Sequence, residues 1–208
     1  MVPGPEGPVE ARTPSGEPVD LFELTDFLTE KYRRLYVVDL QGVERDLPQL
    51  DYLQEITRGA DVWVDAGTPT ADGVIDIIVA GASRAVVSTS HFPGASDLER
   101  AFRLTNDLVL EVEIAPTGVI AGAVNWGERV ERVVEEARRV GVAEVIVSPR
   151  ETPVDWSLVR HLAETGPVWV DGTFDLSQRE RLAEFSATGG LFHVDKEIEL
   201  LTHPPPSG

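Results

Sequence analysis

The chain has 208 residues, 42% of them hydrophobic, enough for one sizeable domain with a core and too apolar for a disordered segment. Its formal net charge is −18, a field that repels nucleic-acid phosphate and anionic lipid, so neither is an expected partner. It has no cysteine, which excludes disulfides, thiolate metal sites and cysteine nucleophiles together.

No run reaches 18 apolar residues, so no membrane span is expected. The opening MVPGPEGPVEARTPSGEPVD has neither a basic region nor an apolar stretch of the secretory kind, and a cytoplasmic location is expected. Lys31 and Lys196 are the only lysines, and Met, Asn and Gln are scarce. That balance leans toward a thermophile, and a salt-rich cytoplasm would also favour the acidity.

In chain order, residues 1–20 hold five prolines and read as an irregular segment or a degenerate first strand. The segment DLFELTDFLTEKYRR (20–34) supplies a helix. From there to residue 202 short Val/Ile-rich runs alternate with helical patterns, and 203–208 (HPPPSG) is a tail. The runs are LYVVDL (35–40), DVWVD (61–65), RAVVS (84–88), LVLEVEI (108–114), AEVIVS (143–148), PVWVD (167–171) and LFHVD (191–195). The helical patterns between them span 48–59, 71–82, 96–104, 126–141, 154–166 and 176–189, several stopping at Gly. Continuous apolar runs read as strands buried on both faces, and strict alternation with helices implies a parallel sheet. Seven units and a leading helix approach eight, so a short (β/α)8 TIM barrel with a degenerate first strand is expected, with a doubly wound open sheet as the alternative. No G-x-G-x-x-G follows a strand, which argues against a dinucleotide site.

VWVD occurs at 62–65 and again at 168–171, an offset of 106 residues. Asp65 to Thr89 and Asp171 to Asp195 both span 24 residues. Two strand–helix–strand units of equal length suggest a barrel of two half-barrel repeats. Trp63 and Trp169 alternate with Val and point to one face, either against flanking helices or into equivalent layers of the barrel.

The strand ends place Asp39, Asp65, Glu113, Asp171 and Asp195, with Ser88 and Thr89, at the C-terminal mouth where barrel active sites lie. Nearby cations are Arg150, Lys196 and Arg45, and His91 could reach the mouth. Three readings stay open. Each Asp could cap its own turn or helix. Asp65, Asp171 and Asp195 could hold a divalent metal, since hard oxygen ligands suit Mg²⁺, Ca²⁺ or Mn²⁺; otherwise no cofactor is expected. The third reading is residual sugar-phosphate binding through Gly67, Thr68, Ser88, Thr89, Arg150, Gly172, Thr173 and Lys196. His161 reads as solvated and His193 as structural.

The strand V-V-D-L, the stretch G-A-S-R-A-V-V-S-T and the repeated apolar–Asp–Gly turns resemble the histidine-biosynthesis barrels. These are the phosphoribosylformimino-aminoimidazole-carboxamide ribotide isomerase, its cyclase relative and an archaeal isomerase-like branch. The resemblance runs from Leu35 to Leu201. It implies an aldose-to-ketose rearrangement of a two-phosphate metabolite, with acids on the first and fifth strands and Gly-rich turns gripping phosphate. The sequence departs from that pattern. In the best alignment of PGPEGPV, Gly4 stands where the first acid belongs, with Glu6 out of register. Asp65-Ala66-Gly67, Asp171-Gly172-Thr173 and Asp195-Lys196 put acids where the family has glycines. Glu113 keeps the fifth-strand acid in type. The expectation is a diverged isomerase or lyase acting on a phosphorylated small metabolite, with Glu113 as acid or base helped by Asp39 or Asp171. The rival is a non-catalytic binding or assembly subunit, and a homo-oligomer is possible in either case.

Overall fold

A computed structural model describes residues 11–12, 18–120, 122, 126–172, 179–192 and 194. Seven parallel strands carry the core: β1 (Arg34–Val38), β2 (Asp61–Asp65), β3 (Arg84–Ser88), β4 (Leu108–Ala115), β5 (Glu144–Pro149), β6 (Val168–Asp171) and β7 (Gly189–Leu191). Each pairs with its sequence neighbours, so spatial order equals chain order. Counting the N-terminal segment as the first of eight makes these strands two to eight. That segment contributes a two-residue antiparallel pair, Ala11–Arg12 with Pro18–Val19, among the described residues. Residues 1–10, with Gly4 and Glu6, and the tail at 203–208 lie outside them.

The helices are α1 (Leu21–Lys31), α2 (Leu40–Arg45), α3 (Leu50–Ile56), α4 (Ala71–Val79), α5 (Ala95–Leu104), α6 (Val130–Val140), α7 (Trp156–Ala163) and α8 (Arg179–Glu184). Their starts follow local chemistry: the side chains of Asp20, Thr70 and Asp155 accept first-turn N–H groups of α1, α4 and α7. Among the described residues no helix is long and apolar enough to cross a membrane.

Alternation along the strands splits the core in two. Val62, Val64, Ala85, Val87, Leu110, Val145 and Val168 face outward and join the helices in one cluster. Trp63, Val86, Val109 and Ile146 face inward and form a second, against which Tyr36, Trp169 and Leu191 pack. The inner cluster shows that the sheet is curled. Strands β2 and β6 are four places apart, about 19 Å in a flat sheet at 4.7–4.9 Å per step. Yet the rings of Trp63 and Trp169 meet edge to face with centroids 5.1 Å apart. Tyr36 on β1 likewise reaches Glu111 on β4, its hydroxyl donating to Oε2 at 2.8 Å. This is the (β/α)8 architecture, and the open-sheet alternative is set aside.

The tryptophans of the repeated VWVD therefore fill the lumen together. Gly189 is required beside them, because a Cβ there would lie 2.4 Å from the Trp169 ring. Below the pair, the Arg34 guanidinium bonds Asp61 at 2.9 Å and lies over Trp63 at 4.3 Å. Trp169 donates its indole N–H to Glu144 at 2.9 Å. This layer packs the lumen toward its N-terminal end. In the sheet the two VWVD units are not of identical length: Trp63 pairs with Arg84, 21 residues on, and Trp169 with Gly189, 20 residues on.

Candidate functional site

The mouth is built from alternate residues of β4. Leu108, Leu110 and Val112 face the helices, so Glu111 and Glu113 both face the lumen, one step apart in depth. Glu111 is 2% exposed, and β1, β5 and the turn after β5 surround it. The Tyr36 hydroxyl donates to it, and Arg150 approaches Oε1 at 3.4 Å. Burial first, then the charge of Asp65, pushes its carboxyl up to about 7. The same burial, reinforced by Glu111, raises the Tyr36 hydroxyl well above its ordinary value.

Glu113 is nearer the opening. Ser88 and Ser90 each donate a hydroxyl to Oε1 at 2.6 Å, and Arg150 Nε donates to Oε2 at 3.2 Å. Burial alone would raise this carboxyl. The two hydroxyls and the guanidinium outweigh it and hold Glu113 below the usual range. Thr89, fully buried, accepts the Glu113 backbone N–H on its Oγ1 at 3.2 Å and so fixes the strand beneath the carboxylate.

Arg150 ties the acids together. Besides Glu111 and Glu113 it approaches Asp171 Oδ2 at 3.8 Å, and Ser148 donates to the same oxygen at 2.8 Å. Among the described residues Arg150 is the only cation paired with these three carboxylates. The carboxylates in turn hold its guanidinium charged more firmly than burial disfavours it. Sequence had placed Glu113, Asp171, Ser88, Thr89 and Arg150 at one mouth, and the structure brings them together. It adds Glu111, Tyr36, Ser90 and Ser148, which reading strand ends alone had missed. The signal for Glu111 was present in LVLEVEI, where a second acid two residues from Glu113 must share its face.

Asp65 has a different part. It is 6% exposed, and its Oδ1 accepts the Gly67 N–H at 2.9 Å. Burial pushes it up to about 6, against that bond and the charges of His91 and Arg150. Gly67 holds φ at +63°, and a Cβ there would strike the Val43 backbone at 2.4 Å. Buried Thr68 exchanges long 3.4 Å bonds with the Thr70 backbone, and Thr70 Oγ1 accepts Gly73 N–H at 3.1 Å. The turn after β2 thus turns the Gly67 and Gly73 N–H groups onto its own side chains.

Among the described residues the Asp39 side chain bonds to none of these acids nor to Arg150, contrary to the expectation that it helps Glu113, although its backbone N–H donates to the Asp65 carbonyl at 2.8 Å. It follows β1 and caps α2, a helix the sequence reading had merged into strand and loop. Its carboxylate takes N–H groups of Gln41 and Gly42 at 3.1 Å, and the backbone and side chain of Gln49 at 2.6 and 2.9 Å. All four donors are structural, so the carboxylate acts as a cap and turn anchor rather than as a hydrogen-bonded partner of Glu113. Asp39→Ala is expected to lower stability by about 1–2 kcal/mol, as loss of a helix cap does, with proton-transfer activity unchanged. Urea denaturation beside an activity assay checks both. Arg45 is exposed in the last turn of α2, away from the acids.

Half-buried Gly172 follows Asp171. Thr173, His193, Asp195 and Lys196 lie outside the described residues. So the three-Asp metal set is not assembled within them, and among the described residues no group of three His, Asp or Glu could hold a metal ion. His161 is exposed beside Glu164 on α7.

With this geometry in hand, comparison with protein families matches residues 7–151 to the family described as Histidine biosynthesis protein. The chain belongs to that family. The matched histidine-biosynthesis region spans β1 to β5 and contains Asp39, Asp65, Glu111, Glu113 and Arg150, ending before Asp171. Among curated proteins none matches the chain in sequence.

Proposed function

We propose that the chain is a diverged proton-transfer enzyme of this family, acting at the barrel mouth on a small hydroxy-carbonyl metabolite with one phosphate. Glu113 is the base. It takes a proton from the carbon beside the carbonyl, the C–H pair forms a C=C bond, and the carbonyl pair moves to oxygen. Arg150 faces the charge that develops there or the phosphate itself, and Asp171 steadies Arg150. The observation that carries this reading is the split within one cluster. Glu113 is held ionised while the more deeply buried Glu111 and Asp65 are pushed up. Environments that drive neighbouring carboxyls apart are the mark of acid–base sites.

A single phosphate is favoured over the family's two because glycine N–H groups of the turn after β2 and the start of α4 are already taken. Asp65 and Thr70 already occupy the N–H groups of Gly67 and Gly73. One observation favours the rival, a non-catalytic subunit: Arg150 pairs with three acids at once and leaves the mouth internally satisfied.

The test is solvent exchange. Dihydroxyacetone phosphate, ribose 5-phosphate, ribulose 5-phosphate and their unphosphorylated forms are each incubated with the protein in D₂O. Mass spectrometry then reads deuterium at the carbon beside the carbonyl. The expected result is exchange into a monophosphate and little into its unphosphorylated form. No exchange into any of them transfers support to the non-catalytic subunit.

A further inference from the structure

The turn after β3 reads Thr89-Ser90-His91, and its last two residues bond in series to Glu113. Ser90 Oγ lies 2.6 Å from Glu113 Oε1 and 2.9 Å from His91 Nδ1. A serine hydroxyl has one proton to give. Ser90 Oγ also lies 2.7 Å from Ser88 Oγ, but Glu113 is held ionised and is the stronger acceptor, so the Ser90 proton is assigned to the carboxylate. Ser90 Oγ must then accept from the imidazole, which places a proton on Nδ1. Nε2 is then the ring nitrogen left to exchange a proton, and it has no hydrogen-bond partner among the described residues. The ring is half-buried at the C-terminal end of the sheet and feels the charge of Asp65.

We propose that His91 is a second catalytic acid–base group of this site, held by the Ser90–Glu113 pair in the tautomer that turns Nε2 to the ligand. A carboxylate that orients an imidazole through Nδ1–H and frees Nε2 for proton transfer is a recurrent device; here a serine hydroxyl stands between the two. The inference rests on the proton-transfer reading above and supplies what that reading lacks, a partner for Glu113. The steps balance. Glu113 removes the proton from the hydroxyl-bearing carbon while imidazolium Nε2–H protonates the carbonyl oxygen, giving a neutral enediol. Nε2 then takes the proton of the neighbouring hydroxyl, and Glu113 returns its proton to the former carbonyl carbon. The net change is one hydrogen moved between the two carbons by Glu113 and one between their oxygens by His91, with both side chains restored.

Two measurements test it. The first needs no turnover: proton and nitrogen spectra of the imidazoles in the full chain. A hydrogen-bonded Nδ1–H signal is expected in the wild type, absent in His91→Gln and Ser90→Ala, and moved upfield in Glu113→Gln. The second is the D₂O exchange assay with the monophosphate that exchanges best. His91→Ala and His91→Gln are expected to slow exchange at least tenfold with their melting temperatures kept. Added imidazole restores His91→Ala but not Glu113→Gln, a rescue that a packing role would not show. Exchange at the wild-type rate in both His91 variants, or a loss that imidazole does not restore, overturns the proposal. If the wild type exchanges none of the compounds, the proton-transfer reading fails. The Nδ1–H signal then decides whether the Glu113–Ser90–His91 chain exists, and its absence overturns that too.

Discussion

Glu113→Gln is expected to cut exchange at least 100-fold while leaving the barrel folded. Removing a general base costs about 10²–10⁴-fold. Glutamine keeps the shape of the side chain, and its carbonyl oxygen can still accept the Ser88 and Ser90 hydroxyls that now reach Oε1 at 2.6 Å. Its amide cannot accept from Arg150, but that guanidinium keeps Glu111 and Asp171. The charge of Glu113 is also one reason Glu111 and Asp65 are pushed up. Removing it should therefore ease both, which opposes any loss of stability from the missing ion pair. Activity and stability are thus expected to separate: exchange falls by orders of magnitude while the urea midpoint stays nearly level. Exchange within about threefold of wild type in this variant would remove Glu113 from the chemistry. An equal collapse of folding and exchange would instead make it a structural acid.

The barrel was legible because its strands are buried on both faces. DVWVD and RAVVS carry enough Val and Trp that the observed strands β2 and β3 coincide with the runs read from sequence. Placement failed where a local contact competes with the pattern. Asp39 follows two valines and reads as a strand end, but Gln41, Gly42 and Gln49 offer it donors and it caps a helix instead. That six-residue helix is too short to show an apolar period. LFHVD reads as the last strand from Leu191, whereas β7 runs from Gly189 to Leu191, because glycines carry no apolar signal while leaving room for the Trp169 ring. The mouth was half legible. Strand ends name Asp65, Glu113 and Asp171, but depth is invisible along a chain. Nothing in one dimension shows that Arg150 reaches back across β4, or that Tyr36 crosses the lumen to Glu111.

Depth also governs stability. The protein is expected to be more stable near pH 5 than near pH 8, with Glu111 a principal cause. Its carboxyl is pushed from 4.5 to about 7 in the folded state. Below about pH 4.5 it is neutral in both states. As pH rises from there the unfolded chain ionises while the folded protein holds its proton, so stability is lost with rising pH and levels off above 7. The loss is about 3 kcal/mol at 1.36 kcal/mol per unit, or roughly 6–12 °C in melting temperature for a chain of this length. Asp65, pushed up to about 6, acts in the same direction, but each acid raises the other, so the two losses do not simply add. Glu113 has the opposite sign, and its window lies lower because its value is depressed: its contribution is lost as pH falls through that value. Relief of the general repulsion in a chain of net charge −18 also favours acid. Glu111→Gln separates the two effects. Glutamine can still accept from the Tyr36 hydroxyl and never ionises, so the variant should match wild type near pH 5 and exceed it by about 2–3 kcal/mol at pH 8. Urea denaturation at both pH values measures the difference. Parallel curves for the two proteins would mean that Glu111 is ionised in the folded barrel at neutral pH. The split between it and Glu113, on which the proton-transfer reading stands, would then be gone.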